Sequence, residues 1–533
     1  MTMTTIKIKK IKSCIGVAIL VLAMTTVFSC KDFLMQMPKS SLTEEQVFSK
    51  LDNISPAVDG LYTAFRSSKA GREGWSLMMV GLDETKQGIV QMMDAEQSGL
   101  DYYNGMLSST NTKVAAFWNR RWPTVIAAAN AIYALDVAKE NNSDEATLNK
   151  IRSLRGDACF IRGMLMFELA MYWGEVPVID MATMENTKRQ PLDKVWGQII
   201  DDFTYASENL PEKQATDPKR ATSGAALAML GKAYMSAPEE SGLRDFSKAK
   251  DCFETIKSRY SLDPQYSNLF SPDLNFNSPE SIFELDYSPD WNAPNYWQWD
   301  MGSRTIYANF GEACYFGGFE VALPTEYCYK MKANGGIWED GDLRRNVAIR
   351  FDFTYLGITF TVPSWGADEL DPHIKKWEDI RTDAIQGTAA APTRSFYLSG
   401  KNCMLIRYAD VLLSLAECLN ELGQTSDAVS LVNQVRTRAW GGVLPADKQW
   451  GAMSQAEFRT QIMDERMREL CFEGWRRIDL IRTGNFVNLI KERNPWTKKS
   501  GTIQSYHVRY PIPDTEIKTN PDITAKDQNP GYN

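Results

Sequence analysis

The chain has 533 residues, and its 59 basic against 67 acidic side chains give a formal net charge of −8. This balance argues against a nucleic-acid groove, which needs a surplus of basic side chains on one face. With 44% hydrophobic and 24% charged residues, the composition is that of a globular protein and excludes a disordered or collagen-like chain. A chain of this length has either several domains or one domain with long insertions.

The first 29 residues have the pattern of a targeting segment. Lysines between residues 7 and 12 precede an apolar run, 15–28, that is too short to span a membrane comfortably. The run ends in Val27-Phe28-Ser29-Cys30, which resembles the lipobox of a bacterial lipoprotein, in which the cysteine is lipidated and becomes the new N-terminus. We therefore predict a signal peptide over 1–29 and a lipid on Cys30. A plain secretory signal is the alternative.

The residues after Cys30 are polar, with scattered apolar positions, and predict a lipid-anchored tether over 30–55. Lys31 and Asp32 resemble the short charged stretch that sends some lipoproteins to the cell surface. We therefore expect an outer-membrane protein that faces the cell exterior and is held there by acyl chains buried in the bilayer.

Helical periodicity dominates the predicted N-terminal part, 56–260. Apolar residues recur at three-and-four spacing over 114–137 and again over 145–173. The second stripe should end before Gly174 and Pro177, because neither residue favours continuation of a helix.

Two later stretches look like copies of one helix pair. Residues 222–235 and 246–253 form the first copy, and 405–422 with the helix beginning near Ala428 form the second, within a predicted C-terminal helical part, 396–482. Small residues and a glycine-containing turn allow antiparallel helices to pack closely, as in tetratricopeptide pairs. We predict a mainly α fold, in which tetratricopeptide-like helix pairs form a right-handed helical scaffold with long irregular insertions carrying short strands.

The segment 261–395 is rich in Pro, Gly, Asn and aromatic residues, and we interpret it as a functional insertion. An indole or phenol face suits a sugar ring, while neighbouring amides and charged groups bond its hydroxyls. Tyr307, Tyr315, Phe316 and Phe319 extend the aromatic cluster. An aromatic satellite core is the competing interpretation. The ligand-binding candidates here are Trp291, Asn292, Tyr296, Trp297, Trp299 and Arg304.

A second contribution to the ligand face could come from the segment 72–103, between the first helices. Its candidates are Trp75, Asp83, Tyr102 and Asn104. Here the competing interpretation, that these side chains simply pack the fold, carries more weight than in the insertion.

Seven cysteines remain after Cys14 and Cys30, an odd number that cannot all pair within the chain. Most lie in apolar helical contexts, where a free thiol behaves as a small hydrophobe. Cys314 and Cys328, both in the irregular insertion, are the one pair for which we consider a disulfide.

The stretch 464–482 is dense in arginines and carboxylates, with apolar residues between them. Asp464 and Arg468, like Glu473 and Arg477, have the spacing of helical ion pairs. The intruding apolar residues predict that some of these pairs are partly buried and hold neighbouring helices in register. An alternative, in which Glu465, Glu469 and Glu473 act as acid and base groups, stays open.

Several motifs together resemble the SusD/RagB family. They are Ile406-Arg407-Tyr408-Ala409-Asp410, the string 464–482, Tyr510-Pro511-Ile512-Pro513, and Gln528-Asn529-Pro530-Gly531-Tyr532 within the Pro- and Asn-rich segment 483–533. The resemblance implies an outer-membrane lipoprotein built on tetratricopeptide helix pairs, which covers a SusC-like TonB-dependent transporter and captures glycans, or in some members peptides, for import. Only Cys30 carries over as a functional residue, because ligand contacts differ between members.

An enzyme is the rival class. His373 and His507 are the only histidines, which excludes a histidine-rich metal site, and no GxSxG or phosphate loop occurs. A glycosidase needs only two carboxylates and stays open.

We expect a surface protein that binds oligosaccharide without cleaving it, with no catalytic residue, metal or cofactor and no nucleic-acid partner, and that delivers its ligand to a SusC-like transporter. A peptide-binding member of the same family, a glycoside hydrolase and a structural surface protein are the alternatives.

Overall fold

The computed structural model describes residues 51–179, 187–212, 217–290, 293–361, 372–385 and 398–532, and the predicted signal peptide, Cys30 and most of the tether lie outside these ranges. The helices are α1 Leu51–Ser68, α2 Ala95–Tyr102, α3 Thr112–Asn119, α4 Trp122–Glu140, α5 Glu145–Trp173, α6 Leu192–Asn209, α7 Ser223–Ser236, α8 Phe246–Lys257, α9 Trp297–Met301, α10 Arg304–Phe310, α11 Glu326–Tyr329, α12 Arg344–Ala348, α13 Tyr408–Glu421, α14 Thr425–Ala439, α15 Gln455–Leu470, α16 Arg476–Arg482, α17 Phe486–Arg493, α18 Pro495–Ser500 and α19 Asp514–Thr519. The strands are β1 Thr85–Lys86, β2 Ser281–Leu285, β3 Leu323–Pro324, β4 Ile349–Arg350, β5 Phe353–Tyr355, β6 Ile358–Phe360, β7 His373–Ile374 and β8 Cys403–Arg407.

The fold is mainly helical, as predicted, and the strands form separate two-stranded antiparallel sheets. Along the frame α1 packs on α4, α4 on α5, and each helix from α5 to α8 packs on the next. None of the helices in the described ranges is long and apolar enough to cross a membrane.

Helix boundaries follow the local signals closely where those signals are strong. Helix α5 spans the predicted 145–173 and ends at Gly174, whose φ of 80° is one that glycine adopts readily. The stripe 114–137 is divided between α3 and α4, because the chain turns at residues 120–121. Helix α1 already includes residues 51–55, which the sequence had assigned to the tether, and it buries Ile54.

The two helix pairs that resemble each other lie side by side although about 150 residues separate them. Helices α7 and α8 pack together, α13 and α14 pack together, and α8 also packs on α13. Strands β2 and β8, at the two ends of the insertion, pair antiparallel, and the N–H of Tyr408 donates to the carbonyl of Glu280 at 2.9 Å. The insertion therefore leaves and rejoins the frame at the same place.

The stretch 464–482 does not form one helix. Helix α15 ends at Leu470, and a turn in which Phe472 and Gly474 have positive φ precedes α16. The proposed pair of Glu473 with Arg477 is therefore wrong, because a helical i,i+4 contact needs one continuous helix. Glu473 instead accepts from Arg407 Nε at 2.7 Å and from Lys376 Nζ at 2.7 Å.

Burial of the arginine–carboxylate pairs is confirmed. Arg407 bonds Glu280, Glu469 and Glu473, and Arg344 bonds Asp342, Glu465 and Glu469, all nearly or fully buried. These contacts connect β8 and the insertion to α15. A buried charge is tolerated only when it is paired and hydrogen-bonded, so this network fixes where the insertion rejoins the frame.

All seven cysteines in the described ranges are free and buried. The disulfide considered between Cys314 and Cys328 is absent. Cys314 packs in an apolar cluster with Ile306, Phe316 and Tyr355, whereas Cys328 lies on α11 beside Cys471. Burial raises the pKa of the Cys314 thiol to about 12, as expected for an inert core thiol.

Candidate functional site

The short helix α9 carries two of the predicted ligand-binding tryptophans, and they point in opposite directions. Trp297 is fully buried, whereas Trp299, two residues later, is half-buried. Residues two apart on a helix lie on nearly opposite faces, so only one of the two can face the interior. Trp291 and Asn292, the first members of the cluster, lie outside the described residues.

Trp297 belongs to the core. Its ring stacks on Trp75, with centroids 4.6 Å apart and planes at 17°, and meets Trp377 edge-on at 4.8 Å. Its Nε1 donates to the carbonyl of Lys69 at 3.4 Å. The expectation that Trp297 and Trp75 offer flat faces to a ligand is wrong, because each covers the other and their exposed fractions are 0% and 7%.

Asp83 is likewise structural. It is fully buried and accepts from Arg476 Nε at 2.7 Å and from Arg493 Nη1 at 3.3 Å. These bonds tie the segment after α1 to α16 and α17. With both carboxylate oxygens engaged by arginines, Asp83 is not available to bond a sugar hydroxyl, and this candidate is also wrong.

Four aromatic rings that remain accessible form one continuous row. Tyr296, Trp299, Phe319 and Tyr307 are all half-buried, and successive ring centroids along this row are 6.3, 5.0 and 5.3 Å apart. The contacts are edge-to-face or tilted, which is the favoured geometry for aromatic pairs and holds the rings in fixed positions. We call these four residues the aromatic row.

Close backbone packing holds the aromatic row in place. The N–H groups of Phe319 and Val321 donate to the carbonyls of Trp299 and Asp300, at 3.0 and 2.7 Å. A Cβ on Gly318 would lie 2.2 Å from the carbonyl oxygen of Trp299, and one on Gly302 would lie 2.4 Å from that of Gly317. Glycine at these two positions allows the segment after α10 to lie directly against α9.

The segment 72–91 supports the row from the other side, so the structure brings together the two regions selected from the sequence. Gly88 N–H donates to the carbonyl of Glu320 at 3.0 Å, and Gln91 Nε2 donates to that of Phe319 at 2.7 Å. Ser76 Oγ donates to Asp300 Oδ2 at 2.8 Å. Ile89, between Gly88 and Gln91 in the chain, is 44% exposed.

Asp300 is a buried carboxyl directly behind the row. Burial raises its pKa to about 6, against the lowering effects of Arg72, whose Nε lies 3.3 Å from Oδ1, and of the Ser76 hydrogen bond. It is 3% exposed and bonds the segment 72–91, so it supports the row and does not face solvent.

The remaining candidates divide between two places. Arg304 is half-buried at the start of α10, and its backbone N–H donates to Glu320 Oε1 at 3.1 Å. Tyr102 and Asn104 instead lie beside the C-terminal segment. The Tyr102 ring meets Trp496 edge-on at 6.1 Å, and Asn104 Oδ1 accepts from the N–H of Met106 at 3.0 Å.

Tyr307 and Phe319 contribute more than the sequence predicts. The sequence indicates them only as extensions of the tryptophan cluster, yet they form half of the aromatic row. The available signal was the pair Gly317-Gly318 directly before Phe319, which permits a close backbone approach. Part of the cluster is indeed the satellite core that was the competing interpretation, because Phe316 packs under β5 and β6.

The arginine-bound glutamates do not have the properties of an acid–base pair. Burial alone would raise the pKa of Glu465, but attraction to Arg344, Arg468 and Arg436 outweighs it and holds that pKa well below the usual range. The pKa of Glu469 is lowered in the same way by Arg438 and Arg407. A carboxyl group with a strongly lowered pKa is a poor proton donor near neutral pH. Within the described residues, no group of three or more His, Cys, Asp or Glu side chains is arranged to hold a metal ion.

Comparison with known proteins identifies the family. A family model described as starch-binding and associating with the outer membrane matches residues 32–235, and the model of the SusD family matches residues 362–532. Together the two matches span more than half of the chain. The chain belongs to the SusD/RagB family.

Individual members of the SusD/RagB family resemble the chain over nearly its whole length. SusD-like protein P2 of Formosa agariphila is 28% identical, over 96% of this chain and 98% of its own. A SusD homologue of Bacteroides thetaiotaomicron has a solved structure with a TM-score of 0.74 at 19% identity, over 92% of this chain and 99% of its own. Surface glycan-binding protein A of the same species, solved in complex with laminarihexaose, has a TM-score of 0.70 at 19% identity, over 90% and 99%.

Proposed function

We propose that this SusD/RagB member is a cell-surface glycan-binding protein that captures an oligosaccharide on the aromatic row and does not cleave it. The observation that carries the proposal is the row itself, in which four half-buried rings lie in continuous contact on a rigid backbone support. A pyranose ring has an apolar face of C–H groups that packs against such rings. The ligand therefore meets a preformed surface and pays little ordering entropy on the protein side.

The polar groups around the row suit the sugar hydroxyls. Arg304 lies on α10, the helix that follows Trp299 and also carries Tyr307, and its side chain is half-buried. Each contact to a sugar unit is weak. Engagement of several units along the row would supply most of the affinity, as in other multivalent associations.

The relatives support a glycan as the ligand. One of the matching family models carries a starch-binding description, and the solved surface glycan-binding protein A holds laminarihexaose. Both ligands are glucose oligomers or polymers, which makes neutral glucans the first class to test.

Delivery is the second half of the proposal. A lipid on Cys30 would hold the protein at the outer membrane, and the family resemblance supports a SusC-like TonB-dependent transporter as the recipient of the glycan. Captured oligosaccharide would pass to this partner when the protein moves relative to the transporter barrel. No chemical step on the ligand is needed, which agrees with the lowered pKa values of Glu465 and Glu469.

Affinity electrophoresis through gels containing single polysaccharides tests capture. Native protein should be retarded by at least one glycan of a panel that includes starch and laminarin, while the double variant Trp299→Ala, Phe319→Ala should migrate freely. Trp440→Ala is the matched control, because Trp440 is also half-buried but lies at the end of α14.

Three outcomes would count against the proposal. Retardation that survives in the double variant would place the site elsewhere. Release of shorter sugars during incubation would show a hydrolase. Binding to peptides, with none to any glycan, would favour the alternative of a peptide-binding member.

A further inference from the structure

A small cavity lies beside Trp75. It has a volume of about 40 Å³, and its walls are mostly apolar, with Met78, Met164 and Phe167 among them. The polar and charged residues on its walls include Lys69, Trp75, Arg121, Glu168, Glu473 and Arg477. A space of this size holds one or two water molecules, or one monatomic ion.

Arg477 brings an unbalanced positive charge to this cavity. Its side chain is 1% exposed and is enclosed by rings, with its guanidinium carbon 4.1 Å from the centroid of Tyr510 and 4.7 Å from that of Phe486. Across the residues the structure describes, no carboxylate lies within ion-pair distance of Arg477. Its Nη2 donates to the carbonyl of His507 at 3.4 Å and the Tyr103 hydroxyl lies beside the guanidinium, while Nε and Nη1 have no acceptor within the described ranges. A buried charge left unpaired in this way is strongly unfavourable.

Trp75 adds a third unused donor. Its Nε1 is buried and has no acceptor within the described ranges. Indole and guanidinium N–H groups can only donate hydrogen bonds, so whatever satisfies them must be an acceptor. Arg477 and Trp75 both line the cavity, so one acceptor bound there could satisfy these donors.

The surrounding charges favour an anion over water. Glu168 is shared by two cations, since Lys69 Nζ and Arg121 Nε each donate to one of its oxygens. Glu473 is already held by Arg407 and Lys376, at 2.7 Å each. The carboxylates on the cavity wall are therefore fully engaged by cations, and the charge of Arg477 stays uncompensated. In a low-dielectric, mostly apolar space this imbalance attracts a negative ion.

We propose that this cavity binds one small monovalent inorganic anion of halide size, chloride under physiological conditions. The ion accepts from Arg477 and from Trp75 Nε1 and neutralises the buried guanidinium. Its role is structural: it joins the segment around Trp75 to α16 and so stabilises the wall on which Trp297 and α9 rest. This site is independent of glycan binding, so disproof of the ion site would leave the proposed function unaffected, and the reverse also holds.

Thermal unfolding in matched salts tests the ion. Protein purified in sodium gluconate should show a Tm that rises and then saturates as gluconate is replaced by chloride or bromide at constant ionic strength, because a ligand that binds only the native state stabilises it by mass action. Arg477→Met should remove this dependence, and Trp75→Phe, which removes one donor, should shift its midpoint to a several-fold higher halide concentration. Arg152→Met, on a partly exposed arginine that does not line the cavity, should respond like the native protein.

Crystals of the native protein soaked in bromide provide a measurement that does not depend on the stability of any variant. The proposal expects an anomalous peak inside the cavity, near Arg477 and Trp75. Equal melting in gluconate and chloride, together with ordinary water density and no anomalous peak, would overturn it in favour of a water-filled cavity. Should Arg477→Met fail to fold, the bromide peak and the Trp75→Phe titration decide.

Discussion

Trp297 and Trp299 are two residues apart on one short helix, and the structure gives them opposite roles. Trp297 is sealed between Trp75 and Trp377, whereas Trp299 sits in the half-exposed aromatic row. The two differ in what packs on their faces, and not in residue type or in local sequence signal. A cluster of tryptophans therefore predicts an aromatic region, but it does not say which indole is core and which is available to a ligand.

Removal of the buried tryptophan, Trp297, should have the largest effect on stability. Trp297→Ala deletes a fully enclosed indole and should lower the free energy of unfolding by roughly 3–5 kcal/mol, the range for aromatic-to-alanine changes in cores. Chemical denaturation measures this loss of unfolding free energy. Trp299→Ala is the comparison and should cost about 1 kcal/mol or less. Equal losses for the two variants would remove the distinction between them.

The buried carboxyl of Asp300, which follows Trp299 in the chain, should make stability depend on pH. The pKa of Asp300 is raised from 3.8 to about 6, so the native state favours its protonated form. This contribution is complete below pH 4 and is lost as the pH rises through 6. The stability of Asp300→Asn minus that of the native protein should therefore increase between pH 4 and pH 7, by on the order of 3 kcal/mol.

Unfolding curves of both proteins across this range check that prediction. Many other carboxyl groups titrate over the same interval, but they are common to both chains and cancel in the difference. A difference that stays constant with pH would show that Asp300 is ionised as readily in the native state as in the unfolded chain.

Removal of the half-buried tryptophan, Trp299, should affect glycan binding more than folding. With a glycan that retards the native protein, Trp299→Ala should weaken affinity by roughly 10- to 30-fold, or about 1.4–2 kcal/mol, as for a central aromatic contact. Isothermal titration gives the number. Affinity unchanged by Trp299→Ala, with the native melting temperature retained, would separate the aromatic row from glycan capture.

The smallest expected effect on glycan affinity is that of replacing Arg304. Arg304 is half-buried beside the row, and Arg304→Met, which keeps the aliphatic stem, should reduce affinity by about two- to fivefold, as for a polar group partly exposed to water. Competition binding with the same glycan detects this change. A loss larger than that of Trp299→Ala would show that recognition depends on charge more than on stacking.

The sequence by itself determined the elements whose signals are local. Helix α5 follows its apolar stripe to Gly174, both tetratricopeptide-like pairs form where small residues and turn signals predicted them, and the arginine-rich stretch is buried as its intruding apolar residues indicated. The family motifs can also be recognised in the sequence, because they are short and contiguous. These features depend on residues close together in the chain.

Only the tertiary structure decided the partners of each side chain. The turn at Phe472 and Gly474 redirects Glu473 from Arg477 to Arg407, and the pairing of β2 with β8 brings helix pairs about 150 residues apart into contact. The stack of Trp75 on Trp297 likewise joins residues more than 200 positions apart. Burial depends on the sum of such long-range contacts, so a sequence pattern can show that a residue is aromatic or charged but not which face of it remains open.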